Sequence, residues 1–250
     1  MSDSGRKPRW WLRILVIIVA LLALAGAAEL ALRLILPNVI AGAVRNQLGL
    51  SGDHPVDVQL GGSALAHAVT GHVGQVSVDV DGLAVMDQLR GDLRMSADSV
   101  PFNVTGGEMA GTVAQFTVQG EDLPAAVSVL TGGIADSGEV QGGSLVVGRT
   151  VQIFGIDVPV TVTLGLAVEG GDVLIDPTAV SAAGAELTAE QVDSLVQVSA
   201  QRVCIKDRLP AGVTLTGIDL SSTGAVTVTA KIAPDIASNP EQRSPGSCAG

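Results

Sequence analysis

The sequence predicts an α+β fold: one long antiparallel β-sheet with few helices and one very apolar face. Three observations carry that expectation. Apolar residues recur at every second position in segment after segment from Val56 onward, which is the period of a half-buried strand. Three stretches place apolar residues at helical spacing instead. The apolar volume is also aliphatic: 47% of residues are hydrophobic but only 2% aromatic, with no Tyr. Such a composition favours strands and supplies no aromatic stacking platform.

The first element is an apolar helix. RKPRWWLRILVIIVALLALAGAAEL opens with Arg6, Lys7, Arg9 and Arg13, then runs uncharged for 15 residues from Ile14 to Ala28. Positive charge before such a run keeps the start cytoplasmic and sends the body outward. Two readings of the run stay open. Its brevity and the small residues Ala25-Gly26-Ala27 fit a cleaved signal peptide. An uncleaved membrane anchor fits equally, if Leu30, Leu32, Leu34, Ile35 and Leu36 help it span a ~30 Å hydrocarbon core and Trp10 and Trp11 sit at the interface. Both readings put the main domain on the extracytoplasmic side, membrane-anchored or secreted. The expected organisation is a basic start plus signal peptide or anchor over 1–36, an exported domain over 37–235, and a flexible tail over 236–250.

Pro37 can open a second helix, because its missing N–H costs nothing at the first helical position. Leu36, Val39, Ile40, Ala43, Val44 and Leu48 then recur at helical spacing, and Gly49 ends the run. This amphipathic helix needs a partner surface. Strands follow: Val56, Val58 and Leu60 alternate with Asp57 and Gln59, and Val76, Val78 and Val80 with Ser77 and Asp79. The strongest alternation is IDVPVTVTLGLAVE, where Ile156, Val158, Val160, Val162, Leu164, Leu166 and Val168 share one face. Thirteen such residues span about 43 Å, so the sheet is elongated, and Pro159 marks an edge or a bulge. Further strands are expected near 89–98, 110–119, 140–148, 172–182, 213–220 and 225–232. Two short helices interrupt them. EDLPAAVSVLTGG carries Leu123, Val127 and Leu130 on one stripe, and LTAEQVDSLVQVSA opens with the capping box Thr188-Ala-Glu-Gln191.

Charge excludes whole classes of function. Beyond residue 28 the chain holds 10 basic and 24 acidic side chains. A body this acidic repels phosphate backbones, so nucleic acid is no partner, and it does not adhere to an anionic membrane by charge. Lipid contact would be apolar and local. His54, His67 and His72 have no metal-ligand spacing, and no G-x-S-x-G elbow, Walker loop or H-E-x-x-H helix occurs. Asp79-Val-Asp81-Gly82 resembles the start of a calcium loop, but residues at i and i+2 of a strand simply share its wet face. Asn103-Val-Thr105 is a short glycosylation sequon. No enzyme activity, cofactor or metal is expected. The two cysteines, Cys204 and Cys248, form a disulfide candidate in an exported body, tying the tail to the domain; two unpaired thiols are the alternative.

The chain resembles the LmeA-type phospholipid-binding proteins of actinobacterial cell envelopes, long described as a domain of unknown function. The resemblance rests on VDVQLGGSALAHAVTGHVGQVSVDVDGL, on the helix–strand order around EDLPAAVSVL and AELTAEQVDSLV, and on the closing RLPAGVTLTGIDLSSTGAVTVTAKI. It covers about residues 37–233. It implies a curved sheet wrapped around one or more amphipathic helices, like tubular lipid-binding folds. It also implies phospholipid as partner and a role in envelope lipid or lipoglycan assembly, possible lipid transfer included. The family defines no catalytic residues, so none are assigned.

On this reading the Val-rich face covers helix and acyl chains. Burying a 16-carbon chain is worth about 12 kcal/mol at ~0.8 kcal/mol per CH₂, before ordering costs. The residues expected to line the groove are Leu123, Val127, Leu130, Val160, Val162 and Leu164. The alternative is a membrane-anchored scaffold whose sheet is plugged by its own helices and holds no ligand. The sequence names no protein partner.

Overall fold

The computed structural model describes residues 10–63, 67, 69–86, 89–103, 106–130, 135–153, 156–182, 185–188 and 201–248. It is α+β, an apolar N-terminal helix followed by two antiparallel sheets, and not a closed barrel. The expected helix over 187–200 falls almost wholly outside the described residues; its first two, Leu187 and Thr188, end a strand.

Helix α1 runs unbroken from Trp10 to Leu48, 39 residues with Pro37 inside, a length of about 58 Å. The expected start of a new helix at Pro37 is therefore corrected. Apolar residues at helical spacing flank Pro37 on both sides, and the lost N–H removes only one backbone bond. One turn away, the Asn38 side-chain amide donates to the Leu34 carbonyl at 2.8 Å.

The first sheet has strand order β1-β2-β3-β4-β12-β11, with β1 (Val56–Leu60), β2 (His72–Met86), β3 (Leu89–Pro101), β4 (Val113–Val118), β11 (Val213–Leu220) and β12 (Val226–Ile232). Its register sorts the two faces. Val58, Val78, Met95, Ala114, Ala230 and Leu215 lie on one cross-strand row, and Val56, Val80, Leu93, Phe116, Val228 and Ile218 on the next. The opposite face is polar: Asp57, Asp79, Arg94, Gln115 and Thr229 form one row. Gly91 is required within β3, since a Cβ there would come within 2.6 Å of the Phe116 ring.

The second sheet comprises β5 (Ser137–Gln141), β6 (Ser144–Ile153), β7 (Ile156–Glu169), β8 (Asp172–Ala182) and β10 (Gln201–Val203) in the order β10-β8-β7-β6-β5, with β9 (Ala185–Thr188) also on β8. The single long sheet read from the sequence is thus two. Pro159 lies inside a central strand, yet β7 pairs with β8 from Val160 onward, so on that side Pro159 has no ladder partner among the described residues. A bulge between Thr163 and Leu164 makes room for Thr178, whose hydroxyl donates to the Thr163 carbonyl at 3.3 Å.

Helix α2 (Leu123–Leu130) joins the sheets. Its Leu123 and Ala126 form a buried cluster with Leu89 and Val118 of the first sheet, against which Val140 and Leu145 of the second also pack. Gly138 permits the approach, because a Cβ there would sit 2.6 Å from a Val127 methyl. Strand β11 also comes alongside β7.

Cys204, just after β10, is bonded to Cys248 with 5.9 Å between Cα atoms. The segment expected as a flexible tail is tied down further. Ala211 N–H donates to the Ser244 carbonyl and Gly246 N–H to that of Leu209, and a short helix α3, Pro240–Arg243, is capped by the Asn239 side chain.

Candidate functional site

The second half of α1 lies along β1, and its stripe Arg33, Pro37, Ile40, Ala41, Val44 and Leu48 faces the apolar side of the first sheet. Packing there is incomplete. Between the helix and β2–β3 lies a cavity of about 310 Å³, lined by Ile40, Val44, Gln47 and Leu48 of α1, Val76, Val78 and Val80 of β2, and Leu93, Met95, Ser96, Ala97 and Val100 of β3. Met109 and Thr112 close one side. The wall is almost wholly aliphatic. Thr112 is 6% exposed, and its hydroxyl has no hydrogen-bond partner. An orphaned buried hydroxyl costs about 1–3 kcal/mol.

Towards the N-terminal end of the same helix face, a more polar hollow of about 270 Å³ is lined by Arg33, Pro37, Val58, Gln59, Leu60, Gly62 and His67. Arg33 pairs with Glu29 at 2.8 Å and donates to the Gly62 carbonyl at 2.9 Å. His67 is held on both sides: one ring nitrogen lies 2.7 Å from the Gly61 carbonyl, and the Gly74 N–H donates to the other at 3.3 Å. His54 and His72 also bond backbone carbonyls, those of Asp81 and Thr70. The Asp79 carboxylate of the calcium-like stretch is bonded to Arg94 and holds that guanidinium above its usual pKa. No group of three or more His, Cys, Asp or Glu gathers as a metal site among the described residues.

The six groove residues expected from the sequence do not converge. Leu123 and Val127 are buried on α2 at 4% and 6% exposure, packed between the sheets. Leu130 ends that helix, with its side chain outside the described set. Val160, Val162 and Leu164 lie on β7 of the second sheet, half-buried. None of the six lines the 310 Å³ cavity.

The residues that do were visible in part. The unpartnered stripe Ile40, Val44, Leu48 and the alternation Val76, Val78, Val80 were both legible; their apposition was not. The profile of the LmeA-like phospholipid-binding family matches residues 27–231. The chain belongs to this family. The match begins inside α1 and takes in its whole body-facing half, so the helix that walls the cavity is part of the LmeA-like domain, and Cys248 lies beyond it. No curated protein and no solved structure matches the chain. Membership supports a phospholipid-binding role.

Proposed function

We propose that this chain is an exported, membrane-anchored phospholipid-binding protein that holds one acyl chain between α1 and the first sheet, and that it serves envelope lipid assembly or transfer by binding rather than by catalysis. The cavity is the observation that carries this reading. At about 310 Å³ it is roughly twice the ~150 Å³ cavity that accommodates benzene, which is room for about a dozen carbons. One chain fits and two do not, so the second chain of a diacyl lipid stays outside. Burying twelve methylenes contributes about 10 kcal/mol before ordering costs.

Export is supported by the basic residues before the apolar run and by the Cys204–Cys248 bridge, a bond of oxidising compartments. Anchoring rather than cleavage is supported by what cleavage would expose. Ile18–Leu48 is long and apolar enough to cross a membrane. Cleavage after Ala27 would leave Leu30, Leu34, Ile35 and Val39 in water at 58–71% exposure. A second lipid-contacting surface is favoured by the half-buried face of β7, with Val160, Val162 and Leu164.

Native mass spectrometry of the full chain, released gently from membranes and followed by lipid extraction, tests the assignment. Val78→Phe fills the cavity and is expected to abolish the bound phospholipid mass while leaving the melting temperature within a few degrees. Loss of lipid in Val162→Asp with retention in Val78→Phe would move the site to the second sheet.

A further inference from the structure

We propose that the end of the first sheet nearest the anchor is a membrane-docking rim, pressed into the surface of the bilayer that α1 enters. The partner is the acyl and glycerol region of the lipid surface, not a protein. The inference rests on the anchor reading of α1 and goes beyond it, because it concerns the body.

Exposed apolar side chains are concentrated at that end. Outside α1, the described residues hold three large exposed hydrophobics, Val69 at 84%, Phe102 at 51% and Val203 at 37%. Val69 and Phe102 lie together, since Val69 sits in the turn entering β2, Phe102 follows β3, and the Phe102 N–H donates to the Gly71 carbonyl at 3.0 Å. The same end is bonded to α1 just past its uncharged run: Ser63 Oγ donates to Glu29 Oε2 at 2.8 Å, and Arg33 reaches Gly62. The rim therefore stands about 5 Å beyond Ala28, taking three to four residues at 1.5 Å rise, at headgroup depth.

Charge agrees. In a body with 24 acidic side chains, none of Asp, Glu, Lys or Arg occurs between Asp57 and Asp79, or between Asp98 and Glu108. These two uncharged stretches contain Val69 and Phe102. An acidic protein that repels an anionic surface elsewhere thus presents its neutral, apolar edge where the helix brings it down. On α1 the segregation continues. Glu29 and Arg33 face the body, and the opposite side carries Leu30, Leu34, Ile35 and Val39 at 65%, 71%, 58% and 61% exposure. The uncharged outer side, Ile14 to Val39, is about 39 Å long against about 22 Å for the body side, Ile14 to Ala28. Tilts of about 0–40° across a ~10 Å helix offset two sides by at most about 8 Å. The rest of the difference is met when the body edge itself sinks to headgroup level. Val100, two residues before Phe102, already lines the cavity, so the rim delivers a leaflet lipid to its mouth.

The test uses the full chain in phosphatidylcholine vesicles, with its disulfide intact and an NBD fluorophore on single cysteines replacing Val69, Phe102, Leu22 or Asp219. The expected result is a blue-shifted emission at 69 and 102, losing more than half its intensity to lipids with doxyl groups high on the acyl chain, with no loss at 219. Quenching at 22 alone would overturn the rim and leave the anchor. Quenching at 69 and 102 but not at 22 would uphold the rim and overturn the anchor, and quenching at none of them would overturn both.

Discussion

The two sheets carry the same sequence pattern and meet different fates. In the first, inner-face residues are driven out of water: Val80 is 1% exposed, Leu215 6%, Val58 and Val76 8%. In the second, the more perfectly alternating strand β7 is half-buried on both faces from Val160 through Leu166. The difference lies in what covers each. Among the described residues, α1 and α2 lie against the first sheet, whereas the second receives α2 only near β5. Period-two alternation identifies which side of a strand is apolar; a partner element decides whether that side leaves water. The cavity forms in the first sheet because its cover is partial.

The largest expected effect comes from the cross-link between the two. Cys204 follows the edge of the second sheet, and Cys248 sits in the segment bonded ahead of β11 in the first, at a sequence separation of 44. Replacing both with Ser is expected to cost about 4 kcal/mol on the chain-entropy account of a loop that size, measured by urea unfolding. Hydrogen exchange should then accelerate in β8 and β10 before β2 and β3. If both sheets lose protection together, they form one cooperative unit and the contrast dissolves.

A smaller effect addresses burial directly. Val80→Ala removes two buried methyl groups and is expected to cost about 2 kcal/mol at ~0.8 kcal/mol per carbon plus a cavity contribution. Val162→Ala should cost less than half of that. Equal losses in thermal unfolding would mean the β7 face is as well covered as the first sheet.

The smallest concerns the link from α1 into β1. The Ser51 hydroxyl, with the Asp53 backbone N–H and the nearby His54 and Arg45, holds the Asp53 carboxyl below its ordinary pKa. A depressed carboxyl stabilises the fold above the unfolded value, ~3.9, and that contribution disappears as pH falls through the lower folded value. Wild type should therefore exceed Asp53→Asn slightly at neutral pH, with the gap closing in acid. A side-chain ¹³C titration of Asp53 with an unshifted midpoint would remove the premise.

Much of the fold was legible locally. The strand read over 156–168 is observed as Ile156–Glu169, and the helix read in EDLPAAVSVLTGG as Leu123–Leu130, because alternation and turn residues act over a few positions. What local pattern did not reveal is pairing at a distance. Thr117 of β4 bonds Thr227 of β12 across 110 residues, and nothing in either strand names its neighbour, so one long sheet and two sheets read alike. The cavity between α1 and the first sheet was illegible for the same reason. Val160, Val162 and Leu164 form the clearest stripe in the chain, but the wall of the cavity is set by the partnership of Ile40 and Val44 with Val78, which belongs to no single segment. Family resemblance supplied the ligand class.

Strand β12 completes the first sheet by inserting between β4 and β11. Synthesis runs from the N-terminus, so the ribosome finishes β1 to β4 more than a hundred residues before the strand that will occupy the open side of β4 exists. Throughout that interval a row of unpaired backbone groups and an aliphatic face stand unshielded, the usual template for aggregation, and long-range closure of this kind is slow. The last forty residues act as the latch of the first sheet, so a nascent chain needs shielding of that open edge until they arrive.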